Sequence, residues 1–452
     1  MASLAELKDE LIQLYNDNID IIGKGTGEGV NKYRKVALEN FTKAGIPTKK
    51  EEAYKYTDLE KYLTGEYQYH LAPENYDVDV AQLFKCHVPQ LDTYVILMLN
   101  GFMHPTPVFY NNLPKGVIIS SLAKASSVLP DIFDKHYGKY ANPEQDKLVA
   151  LNSLFAHDGV FIYVPKNVIL EKPVQIINVG YSDTNLRINR RNLMVFEEGS
   201  QASVLICDHT MSEQSFITNS LTEIYVGKNT NIDLCRLQNE NERSSQIANT
   251  FIHQTDNSVF TSNTLSLHGG LIRNNIFAKL DGEGIQNNTY GMFFADKEQH
   301  VSFYTHVHHA KPHCVSDQLI KGILDDKATG SFNGKIYVNE KAIKTEAYQR
   351  NNNISLSKNS KMNSKPQLEI YNDDVKCSHG ATIGQLDEDA MFYIRQRGIG
   401  LAEAKQLLMY AFANEVISKI KLDPLRERII DMVDKRLRKE ISVCENCKLS
   451  ID

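Results

Sequence analysis

Cys377 and His379 stand two residues apart in Lys376-Cys-Ser-His-Gly-Ala-Thr382. In an extended strand both side chains leave the same face. A thiol beside a protonated imidazole can ionise near neutral pH. A thiolate with a neutral imidazole suits soft metals or sulfur chemistry; the bland alternative is a buried thiol next to a polar ring. His306, His308, His309 and His313, with Cys314, form the densest histidine cluster. On a strand, His306 and His308 share a face and His309 points away. Three ligands converge only if the chain folds back near Pro312, so a structural or interface role competes with metal binding. Cys444-Glu-Asn-Cys447 is a single C-x-x-C. A structural zinc site needs four ligands and no second pair matches. A thioredoxin-type motif opens a helix in a βαβ unit, whereas this one follows a basic helix. It reads as a tail with two thiols.

Other chemistries lack their residues. The run Gly23-Lys-Gly-Thr-Gly-Glu-Gly29 fails the phosphate-loop pattern and follows a helical segment, so it reads as a linker. There is no Walker motif, no H-E-x-x-H and no G-x-S-x-G, which removes support for ATP hydrolysis, zincin and α/β-hydrolase chemistry. The net charge of −6 argues against general nucleic-acid binding. No apolar run approaches the ~18 residues of a membrane span. The N-terminus carries Glu6, Lys8, Asp9 and Glu10, unlike a secretory signal. Seven cysteines spread thinly over the chain suit reduced thiols and a cytoplasmic location.

The elements that would position these residues change character along the chain. Leu4, Leu7, Leu11 and Leu14 make one helical stripe. A second amphipathic segment runs from about Asn31 to Ala44. More helix is expected from about Ser121 to Phe155, broken at Pro130 and Pro143. From Gly159 short β-rich runs recur, such as Val160–Val164, Val174–Ile177, Leu193–Phe196 and Lys335–Val338. Regular short strands suggest a sandwich, a barrel or a β-solenoid. Few hairpin signals and frequent asparagine favour the solenoid, in which Asn side chains can bond between successive coils. Helical texture returns near Asp387. Asp387 can cap a helix to Gln396, Leu401 to about Ile420 forms a second, and Asp423-Pro424 opens a third as cap and first helical position.

Several blocks carry a resemblance. Lys365-Pro-Gln-Leu-Glu-Ile-Tyr371, Asp374-Val-Lys-Cys-Ser-His-Gly-Ala-Thr-Ile-Gly384 and Phe392-Tyr-Ile-Arg-Gln-Arg-Gly-Ile399 resemble the C-terminal signature of the SufB/SufD family. Asp146 to Phe155, Gly159 to Lys166, Glu171-Lys-Pro-Val174 and His313 through Val338 agree in order. The Cys377-x-His379-Gly-Ala-Thr form and the block Gly45 to Thr57 are similar to the SufD branch. That block departs where a tryptophan often stands; Ala53 and Tyr54 lie there.

The resemblance implies a mainly β fold: a right-handed parallel β-helix between N- and C-terminal α-helical regions. The expected units are a helical and mixed domain over 1–145, a β-helix over 146–386, a helical ATPase-docking region over 387–440 and a tail over 441–452. It implies a non-catalytic scaffold that pairs with a SufB-like paralogue and a SufC-like ABC ATPase in iron–sulfur cluster assembly, and that aids iron acquisition. A homodimer is compatible when the paralogue is absent. His379 and Cys377 would face the cluster-assembly interface and offer metal ligands. Leu401, Leu408, Phe412 and Val416 would dock the ATPase. No cofactor would be bound tightly by the isolated chain; an iron–sulfur cluster or iron would be held transiently in the complex. No nucleic acid or membrane is an expected partner. Two other readings are a β-helix polysaccharide-active enzyme, which needs clustered carboxylates or calcium, and a standalone metal-binding protein.

Overall fold

Alternating apolar runs bounded by Asn, Gly and Asp wind into coils, because each corner residue reverses the chain without a helix. The structure, a computed structural model, describes residues 3–74, 91–105, 112–144 and 146–440. The strands fall alternately into two ten-stranded sheets, forming a β-solenoid of about 7 turns with helices at both chain ends. From Val174–Gly180 to Val375–Gly384 every ladder within the sheets is parallel. The two sheets begin differently from how they end. At the N-terminal end antiparallel strands close them, Ile118–Ser121 against Val160–Val164 and Phe102–Met103 against Tyr94–Leu99. At the C-terminal end, Lys361–Ile370 and Val375–Gly384 are the last strands, each paired on one side.

Asparagine holds coil to coil. Asn249 Nδ2 donates to Asn219 Oδ1 at 3.1 Å, and Asn275 Nδ2 donates to Asn249 Oδ1 at 2.8 Å. This side-chain ladder satisfies buried amides that would otherwise each cost about 1–3 kcal/mol. Asn167, Asn229 and Asn257 take left-handed φ at 61°, 56° and 53°, a conformation Asn tolerates better than other non-glycine residues. The bore is apolar near its start, where Ile96, Ile176, Ile206 and Met194 pack together. Towards its end polar side chains enter it, with Thr305, Gln318, Gln349 and Asn351 fully buried beside Phe303, Ile320 and Phe332.

Helices clothe the outer faces. Leu7, Leu11, Tyr15 and Phe41 pack with Leu148, Leu154 and Phe155 against Ile217, Ile247 and Leu271 of the first sheet. Buried Arg273 pins the Gly45–Thr57 block: its guanidinium lies 4.0 Å over Tyr54 and donates to the Ala53 carbonyl at 2.7 Å. Met409, Ala413, Val416, Ile417, Ile429 and Val433 cover Leu205, Leu237, Met292 and Leu319 of the second sheet.

Several expectations shift. Tyr94–Leu99 pairs with Val174–Gly180, so the sheets reach back across the boundary expected at 145/146, since a coil edge needs a strand to close it. Helix Lys147–Phe155 joins the N-terminal helices by its apolar side chains. The glycine run is a packed turn: Gly27 N donates to Ser126 Oγ at 2.8 Å, and a Cβ there would sit 2.2 Å from the Ser126 carbonyl oxygen. The last helix begins at Asp423 itself, with Leu422 as its cap residue. Among the described residues no helix is long and apolar enough to cross a membrane. Cys444 and Cys447 lie outside the described residues.

Candidate functional site

The last coil brings the Cys–His pair to the bare end of the solenoid. Ala347 is in register with Cys377, and Gln349 with His379. Inward positions of the preceding coil (Thr345, Ala347, Gln349, Asn351, Asn353) are all buried, so their ladder partners Val375, Cys377, His379, Ala381 and Ile383 form the next layer. Among the described residues no further coil follows within these sheets. His379 is accordingly exposed, while Cys377 is half-buried and packs with Val375 and Leu368 on Ile336, Val338 and Ala342. Ile383 is 52% exposed and Tyr371 54%. Two ten-residue edge strands with one unpaired side each are a template for another chain.

Electrostatics modify the thiol reading. Burial raises the Cys377 thiol above its usual value, and the amide of Ala347 offsets this only in part. In the chain by itself this thiol is therefore held protonated at neutral pH. Beside His379 lies an open recess of about 570 Å³ lined by Gln349, Tyr348, Ser378, Gly380 and the Arg350–Asp317 pair. Among the described residues no group of three or more His, Cys, Asp or Glu is placed to hold a metal ion. The pair at 377 and 379 supplies two donors at most.

The histidine cluster does not converge. His306 and His308 lie on the outer face and His309 on the inner one, as strand alternation requires. His309 Nε2 bonds Ser316 Oγ at 2.8 Å, and His308 stacks edge-on to Tyr337 and bonds Asn339 at 3.1 Å. Burial pushes His306 down to about 4 and His309 to about 3. These rings are packing elements of the coil. His313 takes the left-handed φ of 59° at a corner.

The four docking residues separate. Leu401 is 47% exposed and Leu408 is half-buried. Phe412 is half-buried beneath the Lys321 ammonium, which sits 4.2 Å over its ring and donates to its carbonyl at 3.1 Å. Val416 is fully buried against the second sheet. The expectation that Val416 belongs to a docking surface is corrected: the sheet's outer face is itself apolar and takes that side of the helix. A groove of about 760 Å³ opens beside the helix, walled by Leu356, Leu386, Met391, Leu401, Met409 and Leu437. The sequence reading missed these walls and the Gln349 beneath His379. Both depend on coil register, for which no local motif exists.

Comparison with known proteins bears on this end-exposed coil. The family model described as the SufBD core domain of SUF system FeS cluster assembly matches residues 179–412, and the SufBD N-terminal region matches 5–176. The chain belongs to the SufBD family. An iron–sulfur cluster assembly SufBD family protein of Synechocystis is 28% identical over 437 residues, covering 95% of both chains. The iron–sulfur cluster assembly protein SufD of Escherichia coli is 27% identical, covering 88% of this chain and 91% of its own. The SufD of Bacillus subtilis is 25% identical, covering 72% and 75%. A chloroplastic relative occurs in Arabidopsis thaliana, 26% identical over 88% of this chain and 84% of its own. The chain's SufD homologues are cluster assembly proteins.

Proposed function

We propose that this chain is a SufD-type scaffold, without catalysis of its own, in iron–sulfur cluster assembly. Its bare solenoid end pairs with a SufB-like paralogue, edge strand to edge strand, or with a second copy when the paralogue is missing. The C-terminal helices carry a SufC-like ATPase, which supplies the hydrolysis for which this sequence has no phosphate loop. The nascent cluster is cargo, formed at the junction where His379 and Cys377 stand. A cytosolic location accords with thiols left free.

One observation carries this reading: His379 is exposed on a strand that, among the described residues, has a neighbour on one side only. A cluster ordinarily takes four ligands, and two donors from this chain leave the remainder to the partner. Neutral imidazole offers iron a lone pair. Cys377 is the weaker donor, since its thiol must first lose a proton that burial retains.

The test is a His379→Ala strain assayed for cluster content and for recovery of the three-protein complex. Cluster assembly should fail with the complex and its ATPase activity intact, and Cys377→Ala should be milder. Normal cluster content in the His379→Ala strain removes the assignment. Collapse of the complex would show instead that the ring braces the last coil.

A further inference from the structure

A buried amide column runs down the bore below the exposed ring. His379 is in register with Gln349, and Gln349 with Gln318. Gln349, Gln318 and Thr305 are all fully buried. Thr305 Oγ1 donates to Gln318 Oε1 at 2.8 Å, and Gln349 Nε2 donates to the same oxygen at 3.4 Å. One acceptor thus orients both neighbours. The Gln349 amide nitrogen is committed downwards, and its oxygen Oε1 is buried without a partner. A buried carbonyl left unpaired is costly, so such an atom marks an interaction still to be made.

Gly334 enforces the arrangement from across the bore. A Cβ at this position would stand 2.4 Å from the Phe332 ring, 2.5 Å from Gln349 Nε2 and 2.9 Å from its Cδ. Only a residue without a side chain leaves the amide its place. On the open side of Gln349 the next ladder residue is His379.

We propose that Gln349 is a positioning residue for His379: its Oε1 accepts the Nδ1 proton of the imidazole and so leaves Nε2, at the tip of the ring, as the free lone pair. Nδ1 is the ring nitrogen nearer the backbone, and therefore nearer the ladder neighbour. A histidine that binds metal is commonly fixed by a hydrogen bond from its other nitrogen, which sets tautomer and ring direction. The amide column performs that task here without a charge. Thr305 and Gln318 hold Gln349; its Oε1 is unpaired in the structure, and the bond to the ring is the one proposed. The inference rests on the proposed role of His379 in assembly, but its first readout does not.

The full chain, labelled with ¹⁵N-histidine, is examined by long-range ring ¹H–¹⁵N spectra at a pH where free imidazole is mostly neutral. The signal of His379 is identified by its loss in His379→Ala. The wild type should show one dominant tautomer, protonated at Nδ1. Gln349→Leu should lose that dominance, and Gln349→Glu, which keeps an acceptor, should retain it. Gly334→Ala keeps the glutamine but crowds its amide together with the Phe332 ring, and should move the same signal if the leucine variant folds poorly. In cells, Gln349→Leu should lower assembled cluster about ten-fold or more, the range for groups that orient metal-bound imidazoles, with recovery in Gln349→Glu. An unchanged tautomer in both Gln349→Leu and Gly334→Ala overturns the proposal. Normal assembly in the His379→Ala strain would overturn the role of His379 while leaving the ring signal to decide the positioning.

Discussion

Replacing Val416 by alanine and Leu401 by arginine should separate the two jobs of the helix Leu401–Ile417. Val416 is fully buried among Met409, Ala413 and the apolar outer face of the second sheet. The alanine variant removes two methyl groups, about 1.6 kcal/mol at ~0.8 kcal/mol each. A residual cavity raises the expected loss to about 2–3 kcal/mol. Leu401 is 47% exposed at the rim of the groove, so its arginine variant should stay within about 0.5 kcal/mol of wild type. Urea unfolding reads both values. Binding to the proposed SufC-like partner, measured by titration calorimetry well below the unfolding midpoint, reads the other property. Leu401→Arg should weaken it by about 2 kcal/mol, roughly thirty-fold, as for an apolar contact residue at an interface centre. Val416→Ala should leave it near wild type. Weakened binding in Val416→Ala with an unchanged midpoint would refute the division. So would strong destabilisation by Leu401→Arg. A deletion from Leu401 onward is the poorer experiment, because it uncovers the sheet face that Val416, Ile417, Ile429 and Val433 protect.

The remaining expectations concern the solenoid. Asn249→Leu breaks a ladder in which its amide donates to Asn219 Oδ1 and the Ser220 carbonyl and accepts from Asn275; a loss of about 2–4 kcal/mol is expected by chemical denaturation, and a loss below about 0.5 kcal/mol contradicts the load assigned to it. The fully buried pair Arg191–Glu223 is joined at 2.6 Å, and Glu223 also accepts from the amides of Gly138, Tyr140 and Ala141. Arg191→Met should therefore cost about 3–5 kcal/mol by leaving a buried carboxylate unpaired, measured by the same unfolding curve. Burial lowers His300 to about 4 and His309 to about 3, so below an unfolded value of about 6.5 only the unfolded state takes up protons at these rings, and stability falls as pH drops from there towards 4. Burial raises Glu240 to about 8; between about 4.5 and 8 the folded state holds the extra proton, so this group's contribution falls as pH rises. Burial likewise lowers His136 and His306 to about 4 and His157 to about 3, so five histidines outweigh Glu240 on the acid side and the stability maximum should lie above the free imidazole value, at about pH 7; Glu240→Gln should abolish the alkaline decline, and a decline that persists in that variant would assign it elsewhere.

Much of this molecule was legible in its residues. The helical ends, the strand texture from Gly159 and the same-face spacing of Cys377 and His379 are local properties, since strand alternation and helix periodicity act over a few residues. Asparagine frequency pointed to bonding between coils, and Asn219, Asn249 and Asn275 make that ladder. The phosphate-loop-like run at 23–29 was set aside by its spacing and by the helical segment before it. What the chain could not announce locally was register. Whether Val416 faces a partner or the protein depends on Leu205, Leu237 and Met292, more than a hundred residues earlier, forming an apolar outer sheet face. Whether His379 is buried depends on no further coil being stacked upon it within its sheet. Gln349 and Gly334 carry no motif, and they meet only because the consecutive strands Thr329–Val338 and Thr345–Ser355 face each other across the bore. Periodicity decides which side of a strand a residue takes; only stacked coils decide what stands on that side, because a parallel ladder brings together residues from distant parts of the chain.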